Sequence, residues 1–560
     1  MAWRRVGLAD RIALLSLLAE TALLLGLLRH GFTRPFWYDE QQRAYQLALP
    51  PRELLRGLPD AESPLPLAWI VVEKAFAAVF GQVEWALRLP VIASVVLLAV
   101  AGYALARRMV GVVPSALIVG ALLANGSLAI FAPQIKQYPT EMALAVVVLL
   151  LWLQAGDPGR SGAGVVVRYL GILGCMLAAT ATVFVAAPLL ALDLVSAARE
   201  RRLGRRALLA LATGAAGLAH LVLFVLPQSK VAGTDSYWEG TFLPASSVGA
   251  AGRFVVRQSL SFVPGIVTQP FGITSSWQRA AISVLLVVAL LAGVAVAVVD
   301  RRVRPLLLAL GGALLLQLVA SAGRRWSFGF VRINVFLLPL LYLLAGVGLA
   351  RGLALLARLS LRPAAAEPAP AGRPRARRAL AGAGLAGLAA VALVGGSAGA
   401  AASAGQFRRA AVASSQPGWY VEQTGWGDGL RALVERTRLE AGPDDVVVVV
   451  RRMGFKGWAY YMWSYDGWPL RLRATRPVDA RRTLMMNAVD QDRLRAFLAG
   501  HGRAERVFVL LMASAYRGSA AAVEGPLRQL GRRPVERTGI PWTGTLTVWA
   551  ATPPRSSPRP

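Results

Sequence analysis

Apolar runs of about 17–25 residues recur along this chain, beginning with Ile12–Leu28. Each is long enough for a helix to cross the hydrocarbon core of a bilayer, about 30 Å. In all, 56% of the 560 residues are hydrophobic and the mean hydropathy is +0.51. That composition excludes a soluble enzyme and defines a polytopic membrane protein. The net charge of +31 would suit a nucleic-acid binder. The arginines, however, cluster between the apolar runs, where cytoplasmic loops carry their positive charge. The only cysteine, Cys175, lies inside an apolar run, so neither a disulfide framework nor a Cys/His metal cluster can form. The first run has a basic flank of Arg4, Arg5 and Arg11 and no small-residue cleavage site after it. It reads as a retained signal anchor.

The same arginines place the N-terminus inside, and the first helix (about 12–29) exits outward. The loop from His30 to about Arg88 is then outside. Its apolar stretch Leu65–Phe80 contains Glu73 and Lys74 and reads as a surface helix, because spanning would put Arg107 and Arg108 on the wrong side. Further helices are expected at about 89–106, 112–130 and 139–154. The run 165–197 should break near Thr180 into two. Arg199–Arg206, with five arginines, marks the next inner loop. Helices at about 207–226, 279–299, 305–321, 333–350 and 379–401 complete about eleven spans. Residues 227–277 read as a long outer loop, and Arg351–Arg378, rich in Pro, Ala and Arg, as a cytoplasmic linker.

Composition shifts after about residue 405. Val446–Val450, Val507–Leu511 and Leu546–Ala550 read as buried strands and Gly429–Glu440 as an amphipathic helix. Their alternation predicts a small α/β domain over 405–560, outside the membrane by the topology count, beyond a transmembrane domain over 1–404. An aromatic run there, Trp458, Tyr460, Tyr461, Trp463, Tyr465 and Trp468, reads as core packing. His220, inside an apolar helix, reads as a satisfied core histidine.

Three polar clusters fall on the outer face: Asp39-Glu40, then Gln134/Lys136/Tyr138/Glu141, then Arg324/Arg325/Arg332. The arginine-bearing cluster and Lys136 oppose the usual topology signal. Carboxylates beside cations at a membrane surface suit a substrate with its tail in lipid and its phosphate at the interface. Lys or Arg would neutralise the phosphate as it leaves. A carboxylate would take the proton from the incoming hydroxyl. The chemistry is glycosyl transfer from a polyprenyl-phosphate sugar, with inversion, because base and phosphate must sit on opposite faces of the sugar. Trp238 and Glu239 in the long loop, with Gln134 and Glu141, are candidate sugar or acceptor contacts. Arg332 could instead pair with Glu141 or Glu239, and Arg324 and Arg325 read as surface charges.

The residues also resemble a family. Trp37-Tyr38-Asp39-Glu40 after the first helix is matched in order by four further pieces. They are Ser63-Pro64-Leu65-Pro66-Leu67, Phe80–Pro90, Phe131–Glu141 with Lys136-Gln137-Tyr138, and Arg332–Pro339. Over about the first 350 residues this is similar to the lipid-phosphate-dependent glycosyltransferases of the GT-C type, family 39-like. These are the bacterial relatives of protein O-mannosyltransferases and of the aminoarabinose transferase. The resemblance implies a GT-C-like fold, Asp39 as catalytic base with Glu40 in support, and Lys136 and Arg332, beside Tyr138, on the donor phosphate. It implies a polyprenyl-phosphate-linked sugar donor, an acceptor among glycans, lipids or proteins, and no nucleic acid. No cofactor is required, and there is room for a divalent cation near the carboxylates. Gln134 and Lys136 stand where many relatives carry Glu and Arg, a departure that bears on the acceptor. Two other functions compete: a transporter or flippase of a lipid-linked sugar, and a non-catalytic membrane scaffold. A transporter would place its charges at mid-membrane and show repeated halves. Neither feature is seen here.

Overall fold

In the computed structural model the described residues are 7–57, 65–157, 159, 161–228, 236–244, 246–267, 276–329, 332–360, 419–450, 455–465, 477–486, 489–512, 519–540 and 544–551. The expected linker beyond Ser360, the helix at 379–401 and Trp468 lie outside them. Two compact units emerge. One comprises Met1–Arg29, Leu55–Val72 and Pro90–Gly405, the other His30–Leu54, Glu73–Leu89 and Gln406–Pro560.

The first unit is helical. Among the described residues six helices are long and apolar enough to cross a membrane: Glu84–Arg107, Tyr138–Ala155, Thr182–Arg199, Arg205–Gln228, Arg304–Ala322 and Arg332–Leu355. Val112–Leu123, Gly162–Ala178 and Ser283–Val299 are shorter apolar helices. The chain is a multi-pass membrane protein. The break near Thr180 falls where expected, between helices ending at Ala178 and starting at Thr182. Three expectations fail. The run 112–130 is not one helix: it ends at Leu123, and a separate short helix, Gly126–Phe131, follows. The helix expected to end at about 350 runs on to Ser360, so the first ten residues of the expected linker 351–378 are helical. The stretch 227–277 is not simply a loop, because Val248–Val267 forms a 20-residue helix. Its buried Phe254 and Phe262 stand eight residues apart, on one face, and Phe328 packs against both.

Close packing and paired charges hold these helices together. The Ser276–Val299 and Leu338–Ser360 helices cross at Gly293 and Gly348. A Cβ on either would collide with backbone of the other helix, at Leu344 and Ala289 respectively. Small residues permit such approach where lipid supplies no hydrophobic drive. Asp193 ties four helices. It accepts from Trp152 Nε1 at 2.9 Å and Arg206 Nη2 at 2.7 Å, and also from the Tyr169 hydroxyl. A carboxylate inside an apolar helix is costly unless satisfied in this way. The arginines flanking the spans are paired too: Arg107 with Asp10, Arg108 with Asp157 and Arg351 with Asp300. His220 is buried, accepts the Leu67 N–H at 3.4 Å and stacks on Phe224, so it is a packing residue.

The tail of the second unit carries a five-stranded sheet in the order β2-β1-β3-β5-β4: β1 Val446–Val450, β2 Thr483–Met486, β3 Arg506–Met512, β4 Arg532–Ile540 and β5 Gly544–Ala551. β1 is parallel to β2 and β3, while β5 is antiparallel to both β3 and β4. All five valines of β1 are buried, as a central parallel strand covered on both faces requires. One layer of the core packs Leu494, Leu498, Val523 and Leu527 against the sheet. The helix expected at Gly429–Glu440 starts ten residues earlier, at Trp419. The aromatic run is core as expected: Trp458, Tyr460 and Tyr461 are fully buried.

Candidate active site

The carboxylate cluster lies in the second unit, at the start of the helix Tyr38–Ala48. Asp39 and Glu40 fall in its first turn, where the helix dipole favours negative charge. Trp37 is the N-cap residue, and its N–H donates to Glu40 Oε2 at 3.2 Å, one half of a capping box. Glu40 is also held by Arg88. Nη2 donates to Oε2 at 2.9 Å and to Oε1 at 3.1 Å, and Nε to Oε1 at 3.2 Å. Both side chains are fully buried. Arg88 Nη1 donates further to the carbonyls of Phe32, at 2.9 Å, and Arg34, at 2.6 Å. Its guanidinium lies over the Phe36 ring, 4.8 Å from the centroid. Arg34 adds a 3.8 Å ion pair to Glu40. A buried carboxylate bonded in this way to a guanidinium fork anchors the turn. Asp39, beside it, is half-buried.

Residues of the tail surround the same turn. The Phe36 N–H donates to the Tyr461 hydroxyl at 2.7 Å. Tyr461 lies 3.3 Å from Glu84 Oε1, which also accepts from Arg431 Nη1 at 3.2 Å. Tyr460 donates to the Gln82 carbonyl at 2.9 Å and packs edge-on against Phe36, centroids 5.6 Å apart. Burial, followed by the charge of Glu84, raises the phenol pKa values of Tyr461 and Tyr465 well above the ordinary tyrosine value.

The second cluster lies in the first unit. After the short helix Gly126–Phe131 the chain turns and enters the Tyr138–Ala155 helix, with Pro139 in its first turn. Gln134, Lys136, Tyr138 and Glu141 are all buried, none more than 7% exposed. So dense a set of polar side chains is unusual for an apolar unit and marks a candidate site. Asn125 caps the short helix at Ser127 N, 2.8 Å, and donates to Tyr342 Oη at 3.0 Å. Thr140 and Ser94 share a 2.8 Å hydrogen bond. Tyr138 packs on Phe131, centroids 4.7 Å apart. Gln134 donates to the Ile130 carbonyl at 3.1 Å.

Arg332 opens the 3₁₀ helix Arg332–Leu337, which packs against the Tyr138–Ala155 helix. Asn334 fixes the turn before it, donating to the carbonyls of Ser327, 2.9 Å, and Gly329, 2.7 Å, and accepting from Trp326 Nε1 at 2.6 Å. Gly329 has φ +107°, a conformation that suits only glycine. Glu239 is exposed and pairs with Arg324 at 3.6 Å, so this part of the third cluster is a surface ion pair. Trp238 belongs to the 3₁₀ turn Ser236–Thr241. The structure thus joins Asp39 to Glu40 in one unit and the Lys136 segment to the Arg332 helix in the other. Among the described residues no group of three or more His, Cys, Asp or Glu side chains could hold a metal ion.

Sequence reasoning left out Arg88, Glu84, Tyr461, Arg431 and Asn334 as site residues. Glu84 and Arg88 carried a signal, an acid and a base four residues apart inside a matched motif. Tyr461 and Arg431 lie several hundred residues from the turn they meet; the sequence marks Tyr461 only as part of the aromatic core run and does not mark Arg431.

The fold that these helices and the tail sheet define is GT-C-like. Two solved structures align along almost the whole chain, both ArnT from Cupriavidus metallidurans. The apo state aligns at TM-score 0.50 and 18% identity, covering 95% of this chain and 97% of that one. The state bound to undecaprenyl phosphate aligns at TM-score 0.51 and 17% identity over the same shares. No family model and no curated protein matches the sequence.

Proposed function

We propose that the protein is an inverting glycosyltransferase that moves a sugar from a polyprenyl phosphate to an acceptor hydroxyl at the outer face of a bacterial cell membrane. Asp39 is the general base, and Glu40, fixed by Arg88, holds the turn that presents it. Lys136, Tyr138 and Arg332 take the donor phosphate, and Gln134, Glu141, Trp238 and Glu239 are the candidate sugar or acceptor contacts. The observation that supports this reading is the contrast between adjacent acids: Glu40 is fully buried on Arg88 while Asp39 is only half-buried. The buried Lys136 segment is cationic and rich in hydrogen-bonding side chains, chemistry that suits an anionic headgroup. The shared fold with ArnT, one structure of which is bound to undecaprenyl phosphate, agrees with a lipid-phosphate donor. In this reading no cofactor takes part in the step, residues 1–404 form the transmembrane domain with a cytoplasmic linker at 351–378, and 405–560 form an extracytoplasmic α/β domain.

Mass spectrometry of cell-envelope glycans tests the reading. A strain lacking the gene should lose one sugar modification, which the wild-type gene restores and Asp39→Asn does not. Full restoration by Asp39→Asn would remove Asp39 as base. Accumulation of the lipid-linked sugar on the inner leaflet alone would point to a flippase.

A further inference from the structure

We propose that Tyr461, backed by Glu84 and Arg431, is a positioning residue that holds the Arg34–Asp39 turn in place and thereby aims Asp39. The proposal rests on the glycosyltransferase reading for what Asp39 does, and on the geometry of the second unit for how it is held.

Phe36 is fully buried, so its backbone groups need partners. Its N–H has the Tyr461 hydroxyl at 2.7 Å, and its carbonyl accepts from Gln41 Nε2 at 2.7 Å. Its ring contacts both the Arg88 guanidinium and the Tyr460 ring. Asp39 therefore sits between two fixed points, Phe36 three residues before it and Glu40 directly after it. Arg88 supplies the second point; the tail supplies the first.

Tyr461 is itself held. Glu84 lies 3.3 Å from its hydroxyl and pairs with Arg431 at 3.2 Å. The Arg431 guanidinium lies over the Tyr465 ring, 4.9 Å from its centroid, and Arg431 also pairs with Glu435 at 2.5 Å. Arg438 donates to the Tyr461 carbonyl at 3.0 Å. Gly457 lies so near Gln41 that a Cβ there would collide with its amide. The tail thus grips both segments that build the turn, 34–41 and 82–88. A base displaced by about 1 Å can lose on the order of a hundredfold in rate, so such a grip bears on catalysis without touching substrate.

The test compares Tyr461→Phe, which keeps the ring and removes the hydroxyl facing the Phe36 N–H, with Tyr460→Phe, which keeps the ring and removes the hydroxyl facing the Gln82 carbonyl. Both are read in the full chain in lipid nanodiscs. Transfer is measured from an undecaprenyl-phosphate sugar, and hydrogen exchange in the peptide containing Phe36 is followed by mass spectrometry. Tyr461→Phe should lower kcat about tenfold, leave the donor KM within about twofold, and speed exchange at the turn about tenfold. Tyr460→Phe should leave kcat within about twofold. Should Tyr461→Phe fold poorly, Glu84→Gln keeps an oxygen near the phenol and should shift kcat and exchange in the same direction by less. Unchanged exchange, or faster exchange with unchanged kcat, overturns the proposal; so does a loss confined to donor KM. A wild-type protein that transfers nothing would refute the function reading alone, and exchange would still decide whether Tyr461 holds the turn.

Discussion

At the scale of single residues the adjacent acids Asp39 and Glu40 have separate fates. Glu40 is fully buried on Arg88 with four hydrogen bonds to its two oxygens, counting the Trp37 N–H. Removing one partner of such a pair leaves an uncompensated buried charge, at a cost of about 3–5 kcal/mol. Arg88→Met is therefore expected to lower the apparent melting temperature of the detergent-purified protein by many degrees. Arg88→Met combined with Glu40→Gln should recover part of that loss. Equal destabilisation by the single and double variants would mean that the pair is not the anchor described. Asp39 and Glu40 are visible in the sequence as adjacent acids in the first polar stretch after an apolar run, and the family resemblance ranks Asp39 as base with Glu40 in support. What the sequence does not show is the partner of Glu40: Arg88, 48 positions later, buries its guanidinium against that carboxylate. Asn334 was hidden for a different reason: an asparagine beside an apolar helix looks like any interfacial residue until the Ser327 and Gly329 carbonyls turn toward it.

At the scale of elements, long uniform patterns were legible and short or mixed ones were not. β1, five consecutive valines, is unmistakable as a buried strand. β4 reads Arg-Arg-Pro-Val-Glu-Arg-Thr-Gly-Ile, and its charges and proline hide a strand that lies at the sheet edge, where they are tolerated. The Val248–Val267 helix reads as loop in the sequence because Arg253, Arg257 and Gln258 interrupt its apolar pattern. The aromatic turn Tyr460–Ser464 was legible as core, while its grip on residues 36 and 84 was not. That turn also carries a pH dependence. Burial and Glu84 raise the pKa values of Tyr461 and Tyr465 in the folded state. A phenol favoured in its neutral form stabilises the fold below the unfolded value of about 10, and that stability is lost as pH climbs above it. The apparent melting temperature should hold between about pH 7 and 9 and fall above about pH 10. Tyr465→Phe should soften the fall; an identical alkaline profile in that variant would show that these phenols do not contribute.

At the scale of the whole molecule, six described helices long enough to span and the likeness to ArnT make a GT-C-like membrane protein. The arginine distribution predicts which side each loop occupies. Alkaline phosphatase fused after Pro560 should be active, and a fluorescent protein inserted at Arg375 should fluoresce. An inactive phosphatase at Pro560 would put the tail on the cytoplasmic side and separate it from an outer-leaflet substrate. The most direct measurement is transfer itself. Wild-type and Asp39→Asn protein, reconstituted in vesicles, are given radiolabelled undecaprenyl-phosphate sugars and a cell-envelope extract as acceptor. Wild type should transfer label into the extract, and Asp39→Asn should transfer at least about a hundredfold more slowly while still binding undecaprenyl phosphate. Undiminished transfer by Asp39→Asn, or none by wild type with any donor, would contradict the account.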